Sequence, residues 1–521
     1  MFKSLFEKTD SYWLCLIITA ILCFGFAITH SSMGIDDERI QILTLFTSII
    51  IDNRLGNIIT AKLIPTQEFL PFWRDFFALL LLMTGITIHV NNFIKYLPEF
   101  FDRKAAIIFS CTALSFPYIA FYFIFMITCI EHGLIIILSG LAVDYIFRYF
   151  DRKNKKYLFF VFLLLFLVLS FYEMGLLYFI ISSLFIILIK LMFIENRKSY
   201  NKEIIYIFLI PAVLFAVMNF ILFLLLNNSQ LLRTGDFFNY DLSGINAFFE
   251  SLWFNTASFL QRFKNTLNYN FGSIILLLTG FIFILLTACF SLKRKNMLIL
   301  ILGIIIILLP FTPFIVTGNY GWPFRVYSAY SFVGAAAFSL LYILFAKNKL
   351  LLSSLILIIC LVIIQQSKEM NQIFYTEYLK AENDKLFAHS IMQDIKRLEL
   401  EEKPVIFLGA RENPHLKHTY EEADEINVSI FNWDKYDNPI AELFSLRSVR
   451  FMRELGYNIV LLSETDMLQT KEQRQKLEEA IKNISKDMAI YPKDKSIKDM
   501  GEYVVIKTGP SEWDKQCNLA E

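Results

Sequence analysis

Long uninterrupted runs of apolar residues fill most of the first 366 positions of the chain, and they restrict its fold more than any other feature. A run of about 18 or more apolar residues can cross a bilayer as an α-helix, which satisfies its own backbone N–H and C=O groups. Apolar residues make up 56% of the 521 positions and charged residues only 19%. Soluble proteins average about 45–50% apolar residues and about 25% charged residues. The pattern therefore predicts an α-helical polytopic membrane protein.

Eleven of these runs are candidate spans, so we predict about 11 transmembrane helices. The first run begins after Lys3 and Lys8 and has no convincing small-residue cleavage site, which favours an uncleaved first span over a signal peptide. The runs lie near residues 11–29, 74–93, 105–128, 134–150, 157–171, 174–194, 204–226, 272–291, 297–316, 326–346 and 350–366.

Lys and Arg are divided unequally between the two alternating sets of loops. The set that includes the N-terminus carries about 18 of them, and the opposite set about eight, although its loops are longer. Because cytoplasmic loops hold the excess of positive charge, we predict a cytoplasmic N-terminus. An odd number of spans then puts the C-terminus on the outer side. The long or polar outer segments 30–73, 227–271 and 317–325 indicate that function resides on that face.

The chain changes character after Ser367, which predicts two domains: a transmembrane domain over residues 1–370 and a small extracytoplasmic, soluble α/β domain over residues 371–521. Strand-like and helix-like patterns alternate in the second domain. They cover 371–400 (helix), 405–408 (strand), 440–455 (helix), 458–462 (strand), 470–485 (helix) and 503–506 (strand). The domain has no phosphate-loop or dinucleotide fingerprint, and we expect no catalytic residue in it.

The pair Asp36-Asp37, directly after the first span, is the strongest candidate for catalysis. Two neighbouring carboxylates can raise the pKa of one of them, as a general base requires; a hydrated juxtamembrane loop is the alternative. Arg54, in the same outer segment, is a candidate for binding phosphate or for a salt bridge to Asp36 or Asp37.

Arg325 begins a later span and would lie at the depth of the lipid headgroups. Arg binds phosphate bidentately and keeps its charge, although an Arg here could equally be an interfacial anchor. Glu131 and His132 lie at one tight outer turn and Glu173 at another. These three are candidates for binding the acceptor or supporting the catalytic residues, or they simply mark span ends.

Composition argues against two other kinds of site. A net charge of +1 gives no indication of a nucleic-acid partner. The seven cysteines show no CxxC or Cys/His metal spacing, so we expect neither a disulfide framework nor a metal centre.

These features together resemble the GT-C superfamily of membrane glycosyltransferases, and most closely the bacterial glucosyltransferase II family of serotype-converting O-antigen glucosyltransferases. In that family an Asp-Asp pair follows the first span and an Arg-Gly-containing segment precedes the second. This chain has Ile35-Asp36-Asp37 and then Asn53-Arg54-Leu55-Gly56. The family often has Trp and Gly before the Arg, where this chain has Asp52-Asn53. The resemblance covers the layout of residues 10–370.

The resemblance implies an enzyme of the bacterial inner membrane that uses a polyprenyl-phosphate-linked sugar, such as undecaprenyl phosphate glucose, without a metal or other cofactor. The acceptor would be a lipopolysaccharide O-antigen on the periplasmic side, where the C-terminal domain would also lie. Asp36 or Asp37 would be the base of an inverting displacement, and Arg325 and Arg54 would bind the donor phosphate. A flippase and a polyprenyl-phosphate glucose synthase are the implied partners.

Two other classes remain open from the residues. A transporter or flippase of a lipid-linked sugar would show inverted repeats and charges in the middle of the membrane, whereas here the ionisable residues lie at span ends and no repeat is apparent. A membrane anchor for the tail domain would need far fewer spans. Both observations favour an enzyme at the membrane surface.

Overall fold

A computed structural model describes the chain in several stretches separated by gaps. They are residues 10–30, 32–34, 56, 60, 71–194, 200–226, 273–311, 324–413, 419–420, 426–432, 446–460, 462 and 470–511. The chain divides into two compact units. The first comprises Met1–Thr29 and Gln41–Asn371, and the second His30–Ile40 and Gln372–Glu521.

Helices form almost all of the described part of the first unit. They are α1 Asp10–Thr29, α2 Pro71–Tyr96, α3 Arg103–Leu114, α4 Ala120–Ile124, α5 Met126–Arg152, α6 Lys155–Phe171, α7 Gly175–Phe193, α8 Asn201–Leu226, α9 Ser273–Arg294, α10 Met297–Leu308 and α11 Tyr330–Phe345. Short 3₁₀ helices lie at Pro117–Ile119, Leu309–Phe311 and Phe324–Ala329. Helix α12, Lys349–Arg397, contributes residues to both units. It is continuous over 49 residues because no Gly or Pro interrupts it.

Seven helices of the described residues are long and apolar enough to cross a membrane, or eight if one bent pair is a single span. They correspond to α1, α2, α5, α7, α8, α11 and α12, and the bent pair to α3 with the stretch Pro117–Ile124. Helix α6, with 17 residues, and helix α10, with 12, are shorter. Several apolar helices are thus present, as in a membrane protein, and the total of about 11 spans stays a prediction.

Helices α2 and α5 lie side by side and run in the same direction. Residues later in α2 contact residues later in α5: Leu81 packs against Gly133, and Gly85 packs against Ile136. A Cβ atom at position 133 would lie 2.6 Å from Leu81 Cβ, and one at position 85 would lie 2.7 Å from Ile136 Cγ2. Glycine is therefore required at both positions, as is common where helices approach closely in a membrane.

Helix α7 runs parallel to α2 and α5. Its Tyr178 contacts His132 near the start of α5, and Ser182, one turn later, lies 2.8 Å from His89 Nδ1 on α2. Pro71, Met126 and Gly175 therefore begin three helices at the same end of the bundle, which we name the site end. Near the opposite end Asp144 forms ion pairs with Lys95 and Arg148.

The connection from α3 to α5 is broken rather than straight. Helix α3 ends at Leu114, and Pro117 begins a 3₁₀ turn that leads into α4 at an angle of 53° to α3. Pro cannot donate a backbone hydrogen bond inside a helix, which explains the break. A second break at Phe125 separates α4 from α5 and puts the Phe125 ring at the N-terminus of α5.

The second unit contains a three-stranded sheet of β1 Val405–Leu408, β2 Ile497–Asp499 and β3 Val504–Lys507, in the order β1-β3-β2. Strand β1 pairs with β3 in parallel and β2 pairs with β3 in antiparallel register. Helix α13 spans Leu446–Glu454, and α14, Lys471–Ser485, begins with a capping box between Thr470 and Gln473. The core comprises Ile406, Leu408, Leu462, Leu477, Ile481, Met488, Tyr503 and Val505.

One predicted strand of this unit is wrong. Residues 458–460 form no strand, and position 461 lies outside the described residues. Only one backbone hydrogen bond, from Val405 N to Val460 O at 3.4 Å, joins described residues of this segment to β1, whereas a strand needs a repeating ladder. The predicted strands at 405–408 and 503–506 are present, the latter one residue further along, and β2 was not predicted.

Candidate functional site

Four of the seven candidate site residues lie within the described part of the chain: Glu131, His132, Glu173 and Arg325. The other three, Asp36, Asp37 and Arg54, lie outside the described residues.

His132 is the centre of an aromatic cluster near the start of α5. Its ring stacks on Tyr122 with the ring centroids 3.5 Å apart and an interplanar angle of 13°. Tyr178 Oη of α7 lies 3.4 Å from His132 Nε2, and His132 is buried to 2% exposure. Three separate elements, α4, α5 and α7, thus hold one imidazole at the site end.

Ser328 joins this cluster to the segment that carries Arg325. The Tyr178 hydroxyl donates to Ser328 Oγ at 3.0 Å, and Ser328 Oγ donates to Tyr122 Oη at 3.3 Å. All three side chains are buried. A buried hydroxyl network of this kind is costly to disrupt, because each group loses its partner, and here it fixes the 3₁₀ helix Phe324–Ala329 against α4 and α7.

Arg325 is half-buried, and its guanidinium carbon lies 4.4 Å from the centroid of the Phe125 ring. This is a cation–π contact, in which the positive guanidinium is attracted to the face of the aromatic ring, and it helps to hold the Arg325 side chain in place. Because Phe125 is the N-cap residue of α5, the contact puts the Arg325 charge beside the start of that helix.

Glu131 is buried to 5% exposure, and its Oε1 atom accepts a hydrogen bond of 2.7 Å from Thr60 Oγ1. Glu131 and its neighbour His132 are therefore both interior residues near the N-terminus of α5 rather than solvated span ends. This burial argues against the simplest alternative, that the two residues merely mark a hydrated turn.

Glu173 lies in the turn between α6 and α7 and is half-buried. Among the described residues its carboxylate has no hydrogen-bond partner, while its backbone carbonyl accepts from Leu176 N. The preceding Tyr172 ring lies 6.3 Å from Tyr122. Glu173 is thus near the cluster along the chain, but no contact of its carboxylate with the cluster is seen.

Helix N-termini contribute partial positive charge at the site end, although the C-termini of α4 and α6 also lie there. Helices α2, α5 and α7 all begin there, and the N-terminus of a helix carries a partial positive charge of about half a unit. Neither Phe125 nor Met174, the N-cap residues of α5 and α7, supplies a capping side chain. At α7, however, the backbone N–H groups of Gly175, Leu176 and Leu177 donate to the preceding turn. Of these two N-termini, that of α5 is therefore the one suited to binding an anion such as a phosphate.

Sequence reasoning missed Tyr122, Tyr178 and Ser328. Each lies inside an apolar run, where a hydroxyl gives no signal of which neighbour it meets. In the described part of the chain, no group of three or more His, Cys, Asp or Glu residues is arranged to hold a metal ion.

The charged groups that cluster in the second unit neutralise one another. Asp384 is buried and accepts hydrogen bonds from Arg411 Nη1, Ser429 Oγ and Ile430 N. Lys380 and Glu377 form a buried ion pair. Paired and hydrogen-bonded charges of this kind have a structural role.

Comparison with known proteins identifies the relatives of the chain. A family model described as glucosyl transferase GtrII matches residues 25–341, a range that includes α2 to α7 and all seven candidate site residues. No curated protein and no solved structure matches the chain. The resemblance found in the sequence is thereby confirmed, because the match covers more than half of the chain: it belongs to the GtrII family of glucosyl transferases.

Proposed function

We propose that this protein moves glucose from a polyprenyl phosphate donor to a cell-surface polysaccharide, the O-antigen, at the outer face of the bacterial inner membrane. The observation that carries the proposal is the family match over residues 25–341. The cluster at the site end supports it, since Arg325, His132 and Glu131 lie near the start of α5.

The chemistry is a direct displacement at the anomeric carbon. An acceptor hydroxyl oxygen attacks that carbon, the bond from the sugar to the phosphate oxygen breaks, and polyprenyl phosphate leaves with the additional negative charge. Asp36 or Asp37 takes the hydroxyl proton as general base. One base and no covalent intermediate are needed, so the configuration is inverted.

Arg325, with Arg54, stabilises the charge that develops on the leaving phosphate. The cation–π contact with Phe125 supports this role, because a positioned charge stabilises a transition state without reorganisation. Glu131, His132 and Glu173 are assigned to acceptor binding or to support of the catalytic residues. The burial of Glu131 and His132 favours a supporting role for these two.

The distribution of Lys and Arg supports a cytoplasmic N-terminus, about 11 spans and a periplasmic C-terminal domain. A polyprenyl-phosphate glucose synthase and a flippase would supply the donor to the outer face.

The topology is tested with reporters fused after Glu521. We expect alkaline phosphatase, which is active only outside the cytoplasm, to be active at this position, and a cytoplasm-dependent fluorescent protein to be dark. The same reporters at the connection between α5 and α6, near Lys153, serve as the control and should give the opposite result. A fusion at Glu521 that is active only in the cytoplasm contradicts the proposed topology.

The activity is tested with purified protein, a synthetic polyprenyl phosphate glucose and an O-antigen acceptor. We expect release of polyprenyl phosphate only when both substrates are present, because the displacement needs the acceptor hydroxyl. The bent pair of α3 and Pro117–Ile124 is also a feature of transporters. Movement of the intact donor across vesicles without its cleavage would favour a transporter and count against the enzyme.

A further inference from the structure

Arg74 lies in the first turn of α2 and is buried to 2% exposure. Its neighbours Phe72, Trp73 and Phe76 are exposed to 60%, 46% and 46%. Exposed aromatic rings at a span end are typical of the membrane interface, where they lie at the depth of the headgroups. An Arg at that depth normally extends to water or to the lipid, whereas Arg74 is directed into the protein.

The packing of α2 on α5 puts Arg74 at the level of the first turn of α5. The Cβ position of Gly133 approaches Ala78 O within 3.2 Å. Arg74 precedes Ala78 by one turn, about 6 Å along the axis at 1.5 Å per residue. Because the helices are parallel, residue 129 of α5 lies at the same level. Arg74 is thus at the axial level of the N-terminus of α5, where Arg325 contacts Phe125.

Two donor atoms of the buried Arg74 side chain have no hydrogen-bond partner among the described residues. Within the described part of the chain, its Nε and Nη1 atoms are inaccessible to solvent and have no hydrogen-bond partner. No ion pair between described residues includes Arg74, although Asp75 beside it is also buried. Unpaired donors on a buried guanidinium are unfavourable, because they lose their hydration and gain no hydrogen bond in return. Buried polar groups are usually hydrogen-bonded, so unpaired donors need an explanation, and a bound anion is one.

We propose that Arg74 binds a phosphate group at the site end and that this phosphate belongs to the polyprenyl phosphate donor. The inference rests on the proposed function and adds to it a second described cation at the same end of the bundle as Arg325. Three features favour an anion of this class: the unpaired Nε and Nη1 donors of Arg74, the N-terminus of α5 at the same level, and the headgroup depth of the site. A lipid phosphate is located at this depth with its chain in the bilayer.

The proposal is tested by ligand binding to the full-length protein in detergent, which requires no turnover. The probes are farnesyl phosphate, uncharged farnesol and inorganic phosphate. The measured quantities are the Kd of each probe and the midpoint of thermal unfolding of the protein. We expect farnesyl phosphate to bind and stabilise the wild-type protein, farnesol to have no effect, and inorganic phosphate to act only at much higher concentration.

The variant Arg74→Met removes the charge and keeps an apolar side chain in the space. We expect its Kd for farnesyl phosphate to rise at least about tenfold, while its midpoint without ligand equals or exceeds that of wild type, since an uncompensated buried charge is gone. Arg74→Lys should bind with intermediate affinity, and it is the second variant if Arg74→Met does not fold. Arg152→Met, at an exposed position near the opposite end, should match wild type in both readouts.

The outcomes separate this inference from the proposed function. If both Arg74 variants bind farnesyl phosphate with wild-type affinity, Arg74 is only structural and the inference is overturned. The same holds if their midpoint of thermal unfolding without ligand is lower while their affinity is unchanged. Inorganic phosphate that binds as tightly as farnesyl phosphate overturns the lipid assignment. Absence of farnesyl phosphate binding in wild type itself counts against the proposed donor, whereas binding that depends on Arg74 in a protein that transfers no glucose counts against the proposed reaction alone.

Discussion

Replacement of Asp36 or Asp37 by Asn is expected to lower the rate of glucose transfer at least about 100-fold, since a general base contributes roughly 10²–10⁴ to the rate. Asn keeps the shape of the side chain but cannot accept the hydroxyl proton. The two residues directly follow the first apolar run and form the acidic pair that the resemblance assigns to catalysis. The measurement is kcat for release of polyprenyl phosphate from the synthetic donor in the presence of acceptor.

Two controls make this result specific. The thermal midpoints of Asp36→Asn and Asp37→Asn should stay near that of wild type, which shows that folding is preserved. The matched exchange Asp151→Asn, at an exposed position near the opposite end, should leave kcat unchanged. If both Asp36→Asn and Asp37→Asn keep near-normal activity, the base lies elsewhere. Glu131, buried beside His132 and hydrogen-bonded to Thr60, and Glu173 are then the next residues to replace.

Replacement of Arg325 by Ala is expected to remove about 2–4 kcal/mol of transition-state stabilisation, which corresponds to a loss of about 30- to 900-fold in kcat/KM. The reason is electrostatic: the leaving phosphate gains negative charge, and the guanidinium stabilises that charge through two parallel hydrogen bonds. Arg325→Lys should also weaken donor use substantially, because Lys keeps the charge but cannot form both hydrogen bonds from one planar group. The measurement is the rate of donor consumption at several donor concentrations.

The competing interpretation is that Arg325 only anchors its helix at the interface. In that case Lys would replace it freely, since a Lys side chain also reaches the headgroups, and near-normal kinetics of Arg325→Lys would remove Arg325 from the active site. The contact of Arg325 with Phe125 adds a further variant. Phe125→Leu removes the aromatic face but not the charge, so a smaller loss of activity than in Arg325→Ala is expected. Arg152→Lys serves as the matched exchange near the opposite end.

Much of the helical architecture could be predicted from the order of residues. Each run of apolar residues must satisfy its own backbone hydrogen bonds in lipid, and only a helix does so within one segment. The runs near 74–93, 134–150 and 174–194 accordingly form α2, α5 and α7. The C-terminal domain was harder to predict, because a strand is stabilised by hydrogen bonds to a neighbouring strand, which its own sequence does not identify. The apolar segment 458–462 therefore resembled a strand, although its described residues do not form a ladder with β1.

The sequence by itself determined the membrane-type helices, the family and the acidic motif at Asp36 and Asp37. Only the tertiary structure decided that α2, α5 and α7 begin at one end, that Arg325 lies over Phe125, and that Nε and Nη1 of the buried Arg74 have no partner among the described residues. The physical reason is that a helix in a membrane is apolar on all sides, so its sequence carries little periodic signal of which face meets which neighbour. Close packing at Gly85 and Gly133 fixes those faces and thereby brings the charged and aromatic side chains together.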